Sequence, residues 1–319
     1  MRTRVTHVGL PLFLAASTTL AAGKAPQPID RFWSGLGPPR ATAEVAPIVA
    51  LRPPAPDRVR IPGGHFMMGS TPVSMQKALT LCRKETLRSF CDDRRITSRF
   101  RAEGESHSVG LDPYEIDRTE VTVEAYGRCV SSGACSPPGY TPGDARFDAP
   151  TLPVVLVRWE DAQAFCAFAQ GRLPTEAEWE FAARGPRLRE FPWGDTYNPR
   201  LANHGSFAPD TDDLTDGFAA VAPVGSFPDG RTPQGLLDLA GNAAEWVADF
   251  YDVTDAGFGY APISIMNPKG PATGSHHVVR GGSYADGAAW LRTAARGTIS
   301  ELRSPHVGFR CAYDPGRAR

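Results

Sequence analysis

The chain has little that points to a membrane protein or a nucleic-acid binder. After the first 23 of its 319 residues, no apolar run approaches the roughly 20 residues that a membrane-spanning helix needs. Its formal net charge is −1, and acidic and basic residues are interspersed, so there is no basic stripe for nucleic acid. We therefore expect no transmembrane segment in the mature chain and no nucleic-acid partner.

The N-terminus reads as a secretory signal peptide over residues 1–23. Arg2 and Arg4 precede an apolar run that is too short to span a membrane and that ends in small residues at Ala21 and Ala22. Lys24 follows, where a lipoprotein would need Cys. We expect an exported protein, in the periplasm or outside the cell.

The composition predicts three further regions. Residues 24–57 are rich in Pro and Ala and form a linker without regular hydrogen-bonded structure. Residues 58–315 have a length suited to one large domain, and residues 316–319 form a short tail. The domain is expected to be loop-rich, because Gly and Pro punctuate long segments such as 186–203 and 249–274.

The six cysteines form an even set behind an export signal, which favours disulfides over free thiols. Closeness in sequence suggests two pairs, Cys82 with Cys91 and Cys129 with Cys135. These pairs leave Cys166 with Cys311, a bridge that would tie the middle of the domain to its end. Sequence alone leaves other pairings open.

Turn and capping residues predict few regular elements. A glycine turn leads into a short strand over residues 65–69. Helical spacing and capping residues predict helices over residues 119–130, 160–170 and 175–185. In the last of these, Thr175 and Glu178 form a capping box.

Residues 235–246 combine glycine turns with acidic side chains at short spacing. Asp238 and Glu245 offer carboxylates, and the small residues Gly241 and Ala243 leave carbonyls free to turn inward. The segment therefore suits Ca²⁺, which takes about six to eight oxygen ligands, although it lacks the EF-hand pattern. Taken alone, it suits equally well a glycine turn followed by a short amphipathic helix.

Seven motifs stand out along the predicted domain: 61–70 (IPGGHFMMGS), 120–122 (EVT), 171–180 (GRLPTEAEWE), 191–194 (FPWG), 241–246 (GNAAEW), 280–283 (RGGS) and 307–311 (VGFRC). Together they resemble the formylglycine-generating enzyme, or sulfatase-modifying factor, family. Their order and spacing match the family across nearly all of residues 58–314. The resemblance implies a C-type-lectin-like α+β fold with little regular secondary structure, and it supports the Cys166–Cys311 bridge.

The resemblance also implies two structural Ca²⁺ sites. One ligand set is Asp238, Gly241, Ala243 and Glu245, with Asp238 at a position where the family commonly has Asn. The other set is Asn203, His204, Asp216 and Phe218, in which His204 and Phe218 contribute backbone carbonyls. Calcium is therefore the expected structural metal.

The chain departs from the family at its copper site. The family's enzymes oxidise a sulfatase Cys to formylglycine with copper held by two cysteines shortly after the Gly-Gly-Ser segment. Here Asp286 and, approximately, Leu291 stand at those positions. Copper(I) selects soft sulfur ligands, which neither a carboxylate nor an aliphatic side chain replaces. We expect no copper and no assignable catalytic residue, with Ser283 and Asp286 as the candidate pocket residues.

Three functions fit these observations. The first is a binding module that presents the former pocket to an unknown protein, peptide or glycan ligand. The second is an oxidoreductase of the same family that uses non-haem iron or another cofactor, with Asp286, His276 or His277, and Glu301 as an improvised iron site. His276 and His277 are otherwise expected to be exposed loop residues. The third is an accessory protein attached to the envelope through the Pro-rich segment.

Overall fold

The structure is a computed structural model that describes residues 57–104, 106–206, 214–251, 265–299 and 303–316. The predicted signal peptide, nearly all of the predicted linker, Glu301 and the last three residues lie outside the described residues. All described residues belong to the compact unit formed by residues 52–319. In the part of the chain that is described, no helix is long and apolar enough to cross a membrane.

Helices and short strands are joined by long irregular segments, which confirms the predicted loop-rich α+β class. The helices of the described residues are α1 (Pro72–Glu85), α2 (Arg88–Cys91), α3 (Arg94–Arg101), α4 (Val123–Ser131), α5 (Trp159–Phe168) and α6 (Glu176–Arg184). The strands are β1 (Arg58–Ile61), β2 (Gly64–Met68), β3 (His107–Leu111), β4 (Tyr114–Asp117), β5 (Ala244–Tyr251), β6 (Ile265–Met266), β7 (His276–Arg280), β8 (Arg296–Ile299), β9 (Val307–Gly308) and β10 (Ala312–Tyr313).

The described strands form three small sheets. The largest has the order β8-β7-β5-β9, with β5 antiparallel to β7 and parallel to β9. The other two have the orders β1-β4-β10 and β2-β3-β6. The pairing of β10 with β4 brings the C-terminal end of the domain back to its first strands.

Helix α6 lies at the centre of the core, and all nine of its residues are buried. The predicted capping box is present: Thr175 Oγ1 accepts from the Glu178 amide at 3.2 Å, and Glu178 accepts from the Thr175 amide at 2.8 Å. The helix ends at Gly185, whose φ is 62°. Trp179 is fully buried and donates to Glu245 Oε2 at 2.8 Å, which ties the helix to β5.

The other predicted elements are confirmed with small shifts at their ends. The predicted strand is β2, and the predicted helices over 119–130 and 160–170 are α4 and α5. Helix α4 begins after Thr122, whose hydroxyl accepts from the Ala125 amide at 3.2 Å. Helix α5 stops before Gln170, which has a positive φ of 64°.

The segment after Gly241 is a strand, so the alternative of a short amphipathic helix is wrong. Asp238, Gly241 and Asn242 have positive φ and turn the chain sharply. The chain then enters β5, where it lies between β7 and β9. Most of β5 is buried, and the hydrogen bonds of two neighbouring strands stabilise it in place of a helix.

The structure contains the three disulfides at the expected pairs. They are Cys82–Cys91, Cys129–Cys135 and Cys166–Cys311, and none of the six cysteines is free. The last closes a separation of 145 residues. It lies in the buried cluster that also holds Tyr126, Phe165 and Phe309, so it joins α5 to the C-terminal segment through the core.

Candidate functional site

The segment after β7 turns sharply into a cleft at the candidate pocket residues. Gly281 and Gly282 have φ of 91° and 67°, a left-handed conformation that glycine adopts without strain. A Cβ atom on Gly282 would lie 2.9 Å from the carbonyl oxygen of Trp290. The two glycines therefore let the chain pass close to Trp290 and bring Ser283 into a cleft of about 260 Å³.

Ser283 and Asp286 are joined directly. One carboxylate oxygen of Asp286 accepts from the Ser283 amide at 2.9 Å and from the Ser283 hydroxyl at 2.7 Å. Ser283 is 1 % exposed, and both residues line the cleft. The carboxylate that stands at the first copper position is therefore engaged in closing a turn.

Leu291, at the second copper position, is part of the hydrophobic core. It is fully buried and packs in one cluster with Phe191, Ala202 and Ala240. With every cysteine in a disulfide, this region offers hydrocarbon and hard oxygen where copper(I) requires thiolate sulfur. The residues present do not fit copper.

Helix α3 contributes Arg99 to the lining of the cleft, and the sequence did not predict this helix. Phe100 stacks on Trp290 with ring centroids 4.7 Å apart, and the Arg99 guanidinium lies 4.3 Å from the centre of the Trp290 ring. Glu103, just after the helix, forms a buried ion pair with Arg292. These contacts fix α3 against the segment in which the family places its copper cysteines.

The first candidate calcium site is a buried carboxylate cluster. Glu245 accepts from Arg310 at 2.7 Å through each of its oxygens. Asp238 accepts from the Gly225 amide at 2.7 Å and lies beside Glu120, a buried residue that the sequence reasoning missed. Glu120 Oε2 is buried without a hydrogen-bond partner among the described residues.

The charge of this cluster suits a divalent cation. Glu120, Asp238 and Glu245 bring three carboxylates together, and Arg310 is the basic residue that pairs with them in the described structure. Burial, followed by the negative charge of Asp238, raises the pKa of Glu120 well above its usual range. Burial also raises the pKa of Asp238. A bound cation would offset this repulsion, but backbone carbonyl oxygens would have to complete its ligands, because no three acidic, His or Cys side chains of the described residues form a group able to hold a metal.

The second candidate site is also assembled. The Asp216 carboxylate accepts from the His204 amide at 2.7 Å and from the Phe218 amide at 2.9 Å. Asn203 is 1 % exposed, and its Oδ1 has no hydrogen-bond partner among the described residues. This oxygen is a hard donor of the kind calcium prefers, so these residues fit calcium as well.

Asn242 links the two candidate calcium sites, and the sequence reasoning assigned it no role. Its Oδ1 accepts from Asn203 Nδ2 at 3.0 Å, and its Nδ2 donates to Glu120 Oε1 at 2.9 Å. Both Asn242 and Glu120 lie within motifs that carried the family resemblance. Their place in these motifs was the only sequence signal that they matter for function. The contact between the two side chains is visible only in the fold.

The improvised iron site is not assembled from the described residues. His276 and His277 lie on β7, so their placement in an exposed loop is wrong. The His277 ring stacks between Trp159 at 3.9 Å and Phe250 at 4.2 Å. Within the described ranges, no three His, Cys, Asp or Glu side chains form a group able to hold a metal. Both candidate calcium sets therefore depend on amide and carbonyl oxygens.

Comparison with known proteins identifies the family. The family model described as sulfatase-modifying factor enzyme 1-like domain matches residues 45–315. The chain belongs to this family. A formylglycine-generating enzyme from Streptomyces coelicolor is 33% identical over 330 residues, which cover 86% of this chain and 95% of that protein.

Of two further relatives, one is named as inactive and the other as a formylglycine-generating enzyme. An "inactive C-alpha-formylglycine-generating enzyme 2" from Mus musculus is 32% identical over 292 residues, covering 83% of this chain and 88% of that protein. A formylglycine-generating enzyme from Thermomonospora curvata is 40% identical over 185 residues. That match covers 54% of this chain and only 59% of the relative's length.

A solved structure supports the same fold for the sulfatase-modifying factor-like chain. PvdO from Pseudomonas aeruginosa aligns with a TM-score of 0.58 and 25% identity, over 81% of this chain and 94% of PvdO. The Treponema denticola variable protein 1 aligns with a TM-score of 0.55 at 23% identity, and this likeness concerns the fold alone.

Proposed function

We propose that this chain is an exported, calcium-stabilised sulfatase-modifying factor-like protein that does not generate formylglycine with copper. Its cleft at Ser283 and Asp286 serves instead to bind a protein, peptide or glycan. This proposal rests on the residues that stand at the two copper positions, neither of which can bind copper(I). Asp286 closes a turn with Ser283, and Leu291 is fully buried in the core.

The names of the relatives support both the family assignment and the proposed loss of formylglycine formation. Several relatives are named formylglycine-generating enzymes, yet one that aligns over 88% of its length is named inactive. The family fold is therefore compatible with loss of the chemistry. A cleft with polar side chains in its lining and without the copper ligands favours a binding role.

The proposed calcium sites and the proposed export rest on separate observations. The excess of buried carboxylates at Glu120, Asp238 and Glu245 and the unpartnered Oδ1 of Asn203 support two cation sites. When bound, calcium would neutralise these oxygens and hold the loops that carry them. The three disulfides support export, because such bonds form and persist in oxidising compartments.

Copper(I) titration of the purified protein tests the loss of the copper site. We expect no stoichiometric copper(I) binding by the wild type. The double variant Asp286→Cys/Leu291→Cys is expected to gain copper binding, because it restores both thiolates. Ala285→Cys is the matched control, since it adds a thiol beside the site and not at a ligand position.

Elemental analysis of the same preparation separates the binding module from an enzyme with another metal. We expect calcium and no stoichiometric iron or copper. Stoichiometric iron, or tight copper(I) binding by the wild type, would contradict the proposal.

A further inference from the structure

Arg99 differs from the other arginines around the cleft because it has no carboxylate partner among the described residues. Arg292 pairs with Glu103, and Arg296 pairs with Glu176. Arg99 instead lies exposed and lines the cleft. Among the described residues, its guanidinium lies over the Trp290 ring. Its positive charge is therefore available to a ligand.

The Arg99 side chain is held in position by aromatic stacking. Its guanidinium lies 4.3 Å from the centre of the Trp290 ring, and Trp290 itself stacks on the fully buried Phe100. Stacking on an aromatic face leaves the outer edge of a guanidinium free to donate two parallel hydrogen bonds. This arrangement is suited to a carboxylate or another oxyanion, which accepts such a pair of bonds.

The rest of the cleft lining contains further polar groups and one acidic residue. Ser304 and His306 line the cleft with Arg99, and His306 Nδ1 is buried without a hydrogen-bond partner among the described residues. Asp286 is the acidic residue of the lining, and one oxygen of its carboxylate accepts from the Ser283 amide and hydroxyl. An anion entering the cleft would therefore meet the Arg99 guanidinium and the His306 ring nitrogen, which donates in the tautomer that carries a proton at Nδ1.

Apolar side chains complete the lining, and the cleft is small. Val279, Val307 and Ala244 contribute hydrocarbon surface. The volume of about 260 Å³ lies just below the range of roughly 300–1,000 Å³ that is typical of drug-sized ligands. The cleft therefore suits one small group with an apolar body.

The geometry points to a ligand that carries a carboxylate or another oxyanion next to an apolar group, with Arg99 binding the anion. This assignment rests on the proposed binding role of the cleft and adds the chemical class of the ligand. It also gives α3 a role in recognition, because this helix presents Arg99 to the cleft.

Calorimetric titration of the mature protein with small probes tests the assignment. Benzoate and phenyl phosphate supply the two anion types, and benzamide supplies the same ring without charge. We expect at least one anion to bind, with benzamide at least about tenfold weaker, because it lacks the charge-assisted hydrogen bonds. The tighter of the two anions identifies the preferred oxyanion.

Two arginine variants on the same helix locate the site. Arg99→Gln is expected to weaken anion binding by about tenfold or more, whereas Arg94→Gln, an exposed position outside the cleft, should leave it unchanged. Unchanged melting temperatures would show that both variants are folded.

The assignment is overturned if neither anion binds, if benzamide binds as tightly as the anions, or if Arg99→Gln has no effect. None of these outcomes tests the proposed absence of formylglycine formation. Copper titration and peptide conversion test that proposal separately.

Discussion

At the scale of single residues, Asn242 connects the two candidate calcium sites through one side chain. It accepts from Asn203 and from the Ala222 amide, and it donates to Glu120. Its backbone has a positive φ of 59°, a conformation that asparagine tolerates better than most residues. The same residue therefore satisfies the local turn and orients a candidate ligand on each side.

Replacing Asn242 with Ala is expected to reduce the rise in melting temperature that calcium produces. It is also expected to cost about 1–3 kcal/mol without calcium, because buried polar groups lose their partner. Asn267→Ala is the matched control: Asn267 also has a positive φ, of 49°, and bonds the amide and the carboxylate of Asp112. Thermal unfolding of both variants, with and without calcium, measures this effect. An equal rise in melting temperature with calcium in both variants would contradict the role of Asn242 in linking the two candidate sites.

Asp117 makes stability depend on pH. Burial raises the pKa of this carboxyl from 3.8 to about 6, although the Cys311 amide, which donates to it at 2.9 Å, acts in the opposite direction. The folded state therefore holds the proton more tightly than the unfolded state. The resulting stabilisation is fully present below pH 3.8 and is lost as the pH rises through about 6.

Asp117→Asn is expected to remove this pH dependence, because the amide keeps an acceptor for Cys311 and cannot ionise. Between pH 4 and pH 7, the stability of the wild type relative to the variant should fall by about 2 kcal/mol. Chemical unfolding at both values measures the difference. A gap between the two proteins that does not change with pH would show that Asp117 is not the titrating group.

At the scale of elements, α3 and the segment after Ser283 are joined by a buried ion pair. The side chains of Glu103 and Arg292 are fully buried, and Ser70 donates to the same carboxylate. Burial raises the pKa of Glu103 even with Arg292 beside it. Removing the arginine alone would leave a buried carboxylate without its partner charge.

Arg292→Met is therefore expected to destabilise the protein by about 3–5 kcal/mol. The double variant Glu103→Gln/Arg292→Met should be less destabilised, because no isolated charge remains. Unfolding free energies of both variants test this expectation. If the double variant were as unstable as the single one, lost packing and not the unpaired charge would be the cause.

The sequence predicted the elements that carry local signals. Thr175 and Gly185 marked the ends of α6, because capping depends on residues near each other in the chain. The start of α4 was predicted at residue 119, whereas Thr122 is the cap and the helix begins at Val123. Helix α1 carried such a signal and was missed: Thr71 caps the Ser74 amide at 3.1 Å and Pro72 follows it. Helix α3 is mostly Arg and polar residues, and its apolar stripe consists of only Ile96 and Phe100, which is too short to recognise in the sequence.

Strand β5 and the link at Asn242 depend on contacts that a sequence pattern does not contain. Residues 244–247 of β5 are all buried, so the alternation that marks a half-exposed strand is absent. Family motifs supplied the predicted calcium ligands, but Glu120 comes from a segment more than a hundred residues away. Only the fold places it beside Asp238 and Asn242.

At the scale of the whole molecule, long-range bonds hold a loop-rich chain together. The Cys166–Cys311 disulfide closes a separation of 145 residues. Buried arginines act in the same way: Arg280 pairs with Glu176 and Glu180, about a hundred residues earlier. The two candidate calcium sites would add further links between loops.

Chelation of calcium is expected to lower the melting temperature by several degrees. A ligand that binds only the folded state at a hundred times its dissociation constant adds about 2.7 kcal/mol for one site. A domain of this size shifts by roughly 2–4 °C for each kcal/mol. Melting curves with EDTA, and with excess calcium restored as the control, measure the effect. An unchanged curve together with no calcium by elemental analysis would exclude the assigned sites.

The most direct test of the central claim is peptide conversion followed by mass spectrometry. The protein is incubated with copper, reductant, oxygen and a Cys-containing sulfatase peptide, with the Streptomyces coelicolor formylglycine-generating enzyme as the positive control. We expect no mass loss from thiol to aldehyde, because Asp286 and Leu291 cannot hold copper(I). Formylglycine above the level of a control without protein would contradict it.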